Sequence, residues 1–436
     1  MQETMRWRAL ALAGVLGLIA AACGPDTDDG PVADDHAGVT EDPCPDAVNP
    51  DNGCIYLGVL SDLSEGPFAG LAVPLTNAQE DFFRRVNEEG GIGGYDVDVS
   101  TYTRDTRYDP QPHSAAYREI EPSILALAQT LGTPTTQAVL RDMDDDDVIG
   151  VPMSWWSGWD FRDETRGLIL PSGYSYCMES MISLDWHVEE HGEPSSVVAV
   201  GYPGDYGGDA AAGARLWAEA NDVEFLGFVE TAPNPVVGSQ DAAIGQVVAS
   251  GADAVVIAVG PAETAEIVGG SAADDFTGVF LGSLPTWNPA LMDTPAAQAL
   301  QDLYFHVIPW ENLVEGDSDA HHAMREALGD GLSETNDGYS AGWIMSYPIK
   351  AVLEAAAADG ELTREGVRAA VDGLTVDFEG ALPERTFGVE ANELVLREAV
   401  IAAPDPDSEW NESTVATGVS GPTAQAFDYT EPCVGG

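Results

Sequence analysis

The chain has 436 residues, of which 44% are hydrophobic, so it is long enough to form two or three domains with sizeable cores. It carries 74 acidic residues against 17 basic ones, which gives a formal net charge of −57. A protein with that charge repels nucleic acid and anionic lipid headgroups, so we expect neither as a partner, and we expect a monomer.

Residues 1–22 have the pattern of a secretory signal peptide, because Arg6 and Arg8 precede an uncharged apolar stretch. That stretch, about 14 residues long, is shorter than the roughly 20 residues that a membrane-spanning helix needs. The sequence "AAAC" at 20–23 resembles a bacterial lipoprotein signal, in which cleavage precedes the cysteine and the cysteine is acylated. The first of these alanines stands where leucine is usual. We predict a lipidated Cys23 that anchors the protein outside the cytoplasm, on the bacterial cell membrane.

Residues 23–53 are rich in Asp, Pro and Gly, which predicts an acidic linker between the lipid and the folded protein. With the first cysteine assigned to the lipid, four cysteines remain, and they can pair in three ways. Cys44 and Cys54 flank a turn-rich stretch, so we predict a local disulfide between them. A second disulfide between Cys177 and Cys433 is possible, and buried free thiols stay open as the alternative.

From residue 54 onward, short apolar runs alternate with helical patterns. Residues 75–86, for example, place their apolar side chains on one face of a helix. Two series of strand candidates stand out, at 55–60, 95–103, 124–131 and 148–153, and at 195–202, 223–230, 252–260 and 278–283. Continuously apolar strands that alternate with helices predict parallel sheets covered on both faces, and two series predict two α/β lobes.

The order of these pieces resembles the substrate-binding proteins of ABC importers, in the family of the leucine/isoleucine/valine-binding proteins. The resemblance covers about 55–410. The segments that carry it are the opening block with "NEEGGIGG" at 87–94, "LGTPTTQAV" at 131–139, "YPGDYGGDAAAG" at 202–213 and "NDGYSAGWIMSY" at 336–347.

This resemblance implies the type I periplasmic binding protein fold, in which two Rossmann-like lobes are joined by three chain crossings. The implied boundaries are 54–174 plus 306–376 for lobe one, 175–305 plus 377–412 for lobe two, and 413–436 for a C-terminal tail. It also implies a receptor without catalytic activity, which encloses a small amino acid, amide or related carboxylate and delivers it to an ABC permease.

Ligands of open α/β sheets bind beyond the carboxyl ends of the strands. After the run at 124–131, Thr133 begins a helix, where free N–H groups and hydroxyls suit a carboxylate, although a plain helix cap is the alternative. In the resembled family this loop and the one at Ser154 and Trp156 contact the ligand carboxylate. Either Trp155 or Trp156, but not both, is expected to line the cleft, and Trp159 to lie in the core. The alternative is that all three tryptophans pack beneath a loop.

In lobe two, Tyr206 aligns with a tyrosine that closes over the ligand. Leu284 falls near the position where amino-acid-binding members keep an acid for the ligand ammonium, and a buried ammonium without a partner is costly. One possibility is that Asp62, Asp205 or Glu263 replaces that acid. The other, which we favour, is that the ligand is an amide, or an aromatic or branched carboxylate.

Two other functions are compatible with the sequence. "HVEEH" at 187–191 matches the H-x-x-E-H pattern, in which His187 and His191 would hold zinc and Glu190 would act as the base of a hydrolase. A solvated helix end is the simpler interpretation, so we expect no metal and no cofactor. "GYSAG" at 338–342 matches the G-x-S-x-G pattern of α/β-hydrolases, which need a histidine later in the chain. The last histidine is His322, so we discard this motif as a catalytic site. A ligand sensor on the same fold is the remaining alternative.

Overall fold

The computed structural model of the chain describes residues 37–204 and 206–435. The predicted signal peptide, the lipidation at Cys23 and the candidate acid Asp205 lie outside the described residues. Within them, no helix has both the length and the apolar character needed to cross a membrane. Two sheets, each flanked by helices, form the two lobes of an α/β fold.

Lobe one is built on a four-stranded sheet with β2 in the middle. Its strands are β1 (Val39–Thr40), β2 (Gly53–Ser61), β3 (Tyr95–Asp105) and β4 (Ala126–Thr130). β2 pairs in parallel with β3 and with β4, and antiparallel with β1. The apolar run predicted as a strand at 148–153 joins this sheet only through parallel bridges at Gly150. Both β2 and β4 are buried almost throughout, which accounts for their continuous apolar sequence.

Lobe two is built on a seven-stranded sheet in the order β13-β12-β9-β8-β7-β5-β6. Its strands are β5 (Ser196–Gly201), β6 (Glu224–Glu230), β7 (Ala254–Ala258), β8 (Val279–Gly282), β9 (Tyr304–Ile308), β12 (Ala399–Pro404) and β13 (Glu412–Val419). Strands β5 to β9 pair in parallel, whereas β12 and β13 add antiparallel at one side. The predicted boundary at 305/306 therefore cuts β9, and the predicted tail at 413–436 contains most of β13. The whole of β9 and the whole of β13 belong to the sheet of lobe two.

A short hairpin, β10 (Thr375–Val376) and β11 (Arg385–Thr386), completes the strands. The helices are α1 (Ala69–Glu88), α2 (Pro110–Ile120), α3 (Thr133–Asp145), α4 (Arg162–Thr165), α5 (Tyr176–His191), α6 (Gly207–Ala220), α7 (Asn234–Val237), α8 (Asp241–Ser250), α9 (Pro261–Ala273), α10 (Ala297–Leu303), α11 (Asp319–Leu328), α12 (Asp337–Ile344), α13 (Tyr347–Asp359), α14 (Arg364–Ala369), α15 (Ala391–Leu394) and α16 (Pro422–Ala426).

The chain passes between the lobes three times: between β4 and α5, after β9, and between β11 and β12. The segment around β10 and β11 stays with lobe one, because Glu379 pairs with Arg85 of α1 at 2.9 Å and accepts a hydrogen bond from Tyr347. The predicted start of the second lobe-two segment at residue 377 is therefore too early, and the third crossing follows β11.

The "GYSAG" segment lies in α12, where its glycines allow a close approach to α1. A Cβ atom on Gly338 would lie 2.2 Å from the carbonyl oxygen of Leu71, and one on Gly342 would lie 2.0 Å from that of Leu75. Only glycine fits against backbone at such distances. Ser340 sits within the helix rather than on a strand-to-helix turn, so this motif serves helix packing.

The predicted linker ends earlier than residue 53, because residues 37–53 pack on lobe one. β1 pairs with the start of β2, and Cys44 and Cys54 are joined by a disulfide. The buried carboxylate of Asp96 accepts hydrogen bonds from the backbone and side-chain nitrogens of Asn49, each at 2.8 Å, and from Asn52 at 2.9 Å. Hydrogen bonds and a disulfide order this polar segment, whereas its composition indicated only that it lacks apolar surface to bury.

The segment after β13 is also ordered, since a second disulfide joins Cys177 at the start of α5 to Cys433. This pairing was one of the possibilities that the sequence left open. The backbone N–H of Cys433 donates to the Ser157 hydroxyl at 2.9 Å, and the Val434 carbonyl accepts from the indole N–H of Trp156 at 3.0 Å. The end of the described chain therefore packs against the first crossing between the lobes.

Candidate functional site

A cavity of about 60 Å³ lies between the two lobes. Its walls are mostly apolar, and six aromatic side chains dominate them: Phe68, Tyr108 and Trp155 from lobe one, and Tyr176, Tyr206 and Trp287 from lobe two. Mainly apolar pockets with a few polar groups are the usual form of sites for small molecules. This cavity is therefore the candidate binding site.

One tryptophan of the "SWWSGW" segment lines the cavity. Trp155 forms part of the wall and contacts the rings of Tyr176 and Trp310 edge-on, with centroids 6.2 and 6.4 Å away. Trp156 lies outside the cavity, with its ring against Trp159 at 5.0 Å. Trp159 is buried with it. The two neighbouring indoles thus have different environments, one facing the cleft and one facing the protein.

Thr133 and Ser154, predicted to contact a carboxylate, do not line the cavity in this structure. Both are buried, and the Thr133 hydroxyl donates to the Ser154 hydroxyl at 3.1 Å. Ser154 also accepts a hydrogen bond from the indole N–H of Trp159 at 3.0 Å. These three side chains, which we call the hydroxyl corner, satisfy one another, because each polar atom already has a partner inside lobe one.

The two predicted residues of lobe two, Tyr206 and Leu284, both line the cavity. The hydroxyl of Tyr206 lies 2.7 Å from that of Ser283 and donates to the carbonyl of Val259, and burial raises the pKa of this phenol well above its ordinary value. Leu284 is 9% exposed and presents an apolar surface. This wall therefore offers no charge at the position where an acid was considered.

The two described acids considered as replacements are already engaged within the protein. The carboxylate of Asp62 accepts from the backbone N–H groups of Gly66 and Phe68, both at 2.9 Å. Glu263 accepts from the Tyr202 hydroxyl at 3.0 Å and from a backbone N–H at 2.7 Å. Neither acid is among the side chains of the cavity wall.

A histidine and an acid also line the cavity, His306 and Asp337, and neither was predicted from the sequence. The Nε2 atom of His306 lies 3.3 Å from a carboxylate oxygen of Glu412, and both side chains are 1% exposed. The indole N–H of Trp310 lies 3.2 and 3.3 Å from the two carboxylate oxygens of Asp337. Burial, with the neighbouring Glu412, raises the pKa of Asp337 to about 7. A polar residue within the apolar strand β9 was the one available sequence signal.

Several buried nitrogen atoms of this wall have no hydrogen-bond partner in the described part of the chain. They are the indole nitrogens of Trp155 and Trp287 and the Nδ1 atom of His306. Their side chains are 4%, 3% and 1% exposed. Buried polar atoms are rarely left unpaired in proteins, so such atoms in a cavity wall indicate places where a ligand can bond.

The zinc motif lies at the end of α5. The rings of His187 and His191 are 5.0 Å apart, but His187 is buried and Glu190 is exposed. Burial, together with His191, lowers the pKa of His187 to about 4. Among the described residues, no three acidic, histidine or cysteine side chains are grouped as a metal would require. The geometry gives no support to the hydrolase hypothesis.

Fold and cavity together define a two-lobed solute-binding protein. A sequence model of the periplasmic binding protein family matches residues 55–402, which is most of the chain. The chain therefore belongs to the periplasmic binding protein family, whose members bind small molecules outside the cytoplasm. No curated protein sequence matches it.

Solved structures have the same fold. A fatty acid ABC transporter substrate-binding protein from Thermomonospora curvata is 24% identical, with a TM-score of 0.79 over 91% of this chain and 98% of its own. A branched-chain amino acid ABC transporter protein from Thermus thermophilus, with bound valine, is 15% identical, with a TM-score of 0.71 over 86% of this chain and 98% of its own. A leucine-binding protein from Thermotoga maritima is 14% identical, with a TM-score of 0.68 over 84% and 99%.

Proposed function

We propose that this protein is the extracytoplasmic solute receptor of an ABC importer, and that it encloses one small, mainly apolar molecule between its lobes. The observation that carries the proposal is the apolar cavity to which both lobes contribute, with Trp155 on one side and Tyr206 and Leu284 on the other. Acylation at Cys23 would hold the monomeric receptor at the membrane surface, beside the permease.

Opening and closing of the lobes explains how a ligand enters. A cavity of about 60 Å³ has room for only a few water molecules, so a larger molecule requires the lobes to part. Because the walls come from both lobes, a ligand gains its full set of contacts only when they close around it. Binding then shifts the equilibrium toward the closed form, which is the form we expect the permease to recognise.

The apolar character of the walls favours a carboxylate or amide over an α-amino acid. Leu284 stands near the position expected for an ammonium partner, and Asp62 and Glu263 are occupied elsewhere. Of the solved relatives, one is described as a fatty acid transporter protein and one holds valine. The lobe-two wall of this cavity is better suited to a fatty acid than to an amino acid.

A thermal-shift screen tests the proposal on the chain from residue 35 onward, which forms one compact unit. The panel would contain leucine and phenylalanine, the acids isovalerate, phenylacetate and hexanoate, and the amides of those acids. A true ligand raises the melting temperature, because it binds the folded state preferentially, and it changes tryptophan fluorescence through Trp155 and Trp287. The absence of any response across the panel would overturn the proposed ligand class. Zinc that survives dialysis would then favour the hydrolase hypothesis.

A further inference from the structure

We propose that Trp155, Trp287, His306 and Asp337 form a head-group site, and that this site takes the carboxylate of a mainly apolar acid. The inference rests on the proposed function and adds to it the chemical class of the ligand and the residues that recognise its polar end. All four side chains line the same cavity, although they come from both lobes.

The cavity wall contains two hydrogen-bond donors without a partner among the described residues. The indole N–H groups of Trp155 and Trp287 are buried, and neither has a hydrogen-bond partner among the residues that the structure describes. An indole nitrogen can only donate a hydrogen bond, so these two groups require an acceptor. A carboxylate offers two acceptor oxygens, whereas an ammonium group offers none.

The ring of His306 is held in one orientation by its neighbours. Its ring is stacked against Trp287, with centroids 5.6 Å apart, and against Tyr304 at 5.9 Å. Its Nε2 atom faces Glu412 at 3.3 Å, which leaves Nδ1 as the free nitrogen. An imidazole that carries a hydrogen on Nδ1 donates it into the cavity, where a ligand carboxylate can accept it.

Asp337 is an acid in the same cavity wall, and its surroundings favour the protonated form. Burial and the negative charge of Glu412 raise its pKa to about 7, and the charge of His306 opposes this shift. Those two side chains face it from β13 and β9, while α1 contributes only apolar side chains to the cavity wall. When protonated, Asp337 donates a hydrogen bond to a carboxylate. When ionised, it repels the carboxylate, so proton uptake accompanies the binding of an acid.

The same geometry discriminates between an acid and its amide. An amide has one carbonyl acceptor and a nitrogen that only donates, and its N–H groups can bond to Asp337 in the ionised form. The acid therefore binds best below the pKa of Asp337, whereas the amide binds without that requirement. An α-amino acid also has a carboxylate for the indole donors, but its ammonium group pairs with Asp337 only when that acid is ionised and repels the carboxylate. We therefore expect it to bind more weakly than the acid.

Isothermal titration of matched pairs, such as phenylacetate with phenylacetamide and hexanoate with hexanamide, tests the inference at two pH values. For the acids, the dissociation constant is expected to be about 30-fold larger at about pH 8.5 than at about pH 6, because the protonated fraction of Asp337 falls by that factor. For the amides, it should change by less than about threefold.

Variants separate the contributions of single groups. Asp337→Asn should remove most of the pH dependence of acid binding, whereas Asp160→Asn, a change at a buried acid outside the cavity, should leave it in place. Trp287→Phe should weaken acid binding about tenfold by removing one donor. Trp410→Phe removes an indole N–H that bonds to the Leu332 carbonyl away from the cavity, and it should have no effect on binding.

The outcomes distinguish this inference from the proposed function on which it rests. Binding of amides or amino acids in preference to the acids, or acid binding that does not depend on pH, would overturn the head-group site and leave the receptor proposal standing. No binding by any member of the panel would overturn both the head-group site and the ligand class given under the proposed function. A pH dependence that persists in Asp337→Asn would mean that another group takes up the proton, and it would remove Asp337 from the site.

Discussion

Two polar regions beside the cleft have opposite character. In the hydroxyl corner, Thr133 and Trp159 both donate to the hydroxyl of Ser154, so these two donors already have an acceptor within the protein. In the head-group site, Trp287 and His306 are equally buried, but their free nitrogens have no partner among the described residues. The residue types alone do not separate these regions, because hydroxyls and indoles are suited to both roles. Polar groups that already have a hydrogen-bond partner within the protein stabilise the fold, whereas buried polar groups without one are available to a ligand.

The largest loss of stability is expected for Trp156, whose indole is packed inside the protein and does not line the cavity. Trp156→Ala removes a 2%-exposed ring and its hydrogen bond to Val434, so we expect it to lower the free energy of unfolding by about 3–5 kcal/mol. Urea denaturation without ligand measures this loss. If stability were unchanged and ligand binding were abolished, Trp156 would belong to the binding site and the assignment of Trp155 would be wrong.

Asp337→Asn should raise the free energy of unfolding, whereas Trp156→Ala lowers it. The folded-state pKa of Asp337 is about 7, raised above its ordinary value of 3.8, so its contribution to stability is present below about pH 4 and is lost as the pH rises to about 7. The amide carries no such cost, and the variant should be about 2–4 kcal/mol more stable than the natural protein near pH 8. Denaturation curves near pH 4.5 and pH 8 should show this difference shrinking as the pH falls. A variant less stable at both pH values would show that the carboxylate serves the fold.

Ser154→Ala tests the hydroxyl corner. It leaves the indole N–H of Trp159 and the hydroxyl of Thr133 without their partner, which should cost about 1–3 kcal/mol of stability. Ligand affinity should change by less than about threefold, because Ser154 does not line the cavity. A loss of carboxylate affinity without a loss of stability would show that Ser154 contacts the ligand carboxylate, as the sequence predicted.

The smallest effect on stability is expected for Trp287→Phe. The substitution keeps an aromatic ring against His306 and removes a buried N–H that has no partner in the described chain. The free energy of unfolding should change by less than about 1 kcal/mol in the ligand-free protein, because no hydrogen bond within the described chain is lost. Thermal denaturation with and without phenylacetate measures both states. A large loss of stability without ligand would show that the indole N–H of Trp287 stabilises the fold, as that of Trp156 does.

The fold was predictable because parallel strands covered on both faces leave continuous apolar runs in the sequence. β2, β4, β5 and β7 all follow such runs. β13 was missed, because its residues alternate between exposed and partly buried and pair with β12 only through the folded chain. The segment at 37–53 was mistaken for a linker for the related reason that its partners, above all Asp96, are distant in sequence.

The site was predictable only in part. Trp155, Tyr206 and Leu284 line the cavity, and their predicted positions follow from strand ends and from the family resemblance. His306 and Asp337 were missed, because one is a single polar residue in a strand and the other resembles an ordinary residue in the first turn of a helix. Neither pattern reveals that Glu412, from a third segment, lies beside them. Whether a polar side chain is satisfied is a property of the packed structure, so it is not readable from spacing.

The two disulfides also imply an order of events during export. Cys44 and Cys54 are separated by 10 positions and Cys177 and Cys433 by 256, so bringing the second pair together costs an unfolded chain about 3 kcal/mol more in entropy. We expect the short loop to oxidise first, which leaves Cys177 with a single remaining partner when Cys433 emerges. Alkylation of free thiols at successive times after the start of oxidation would follow this order. Early trapping of a Cys54–Cys177 bond would contradict it. Sequential oxidation would thus select the native pairing among the three possible ones without a separate isomerisation step.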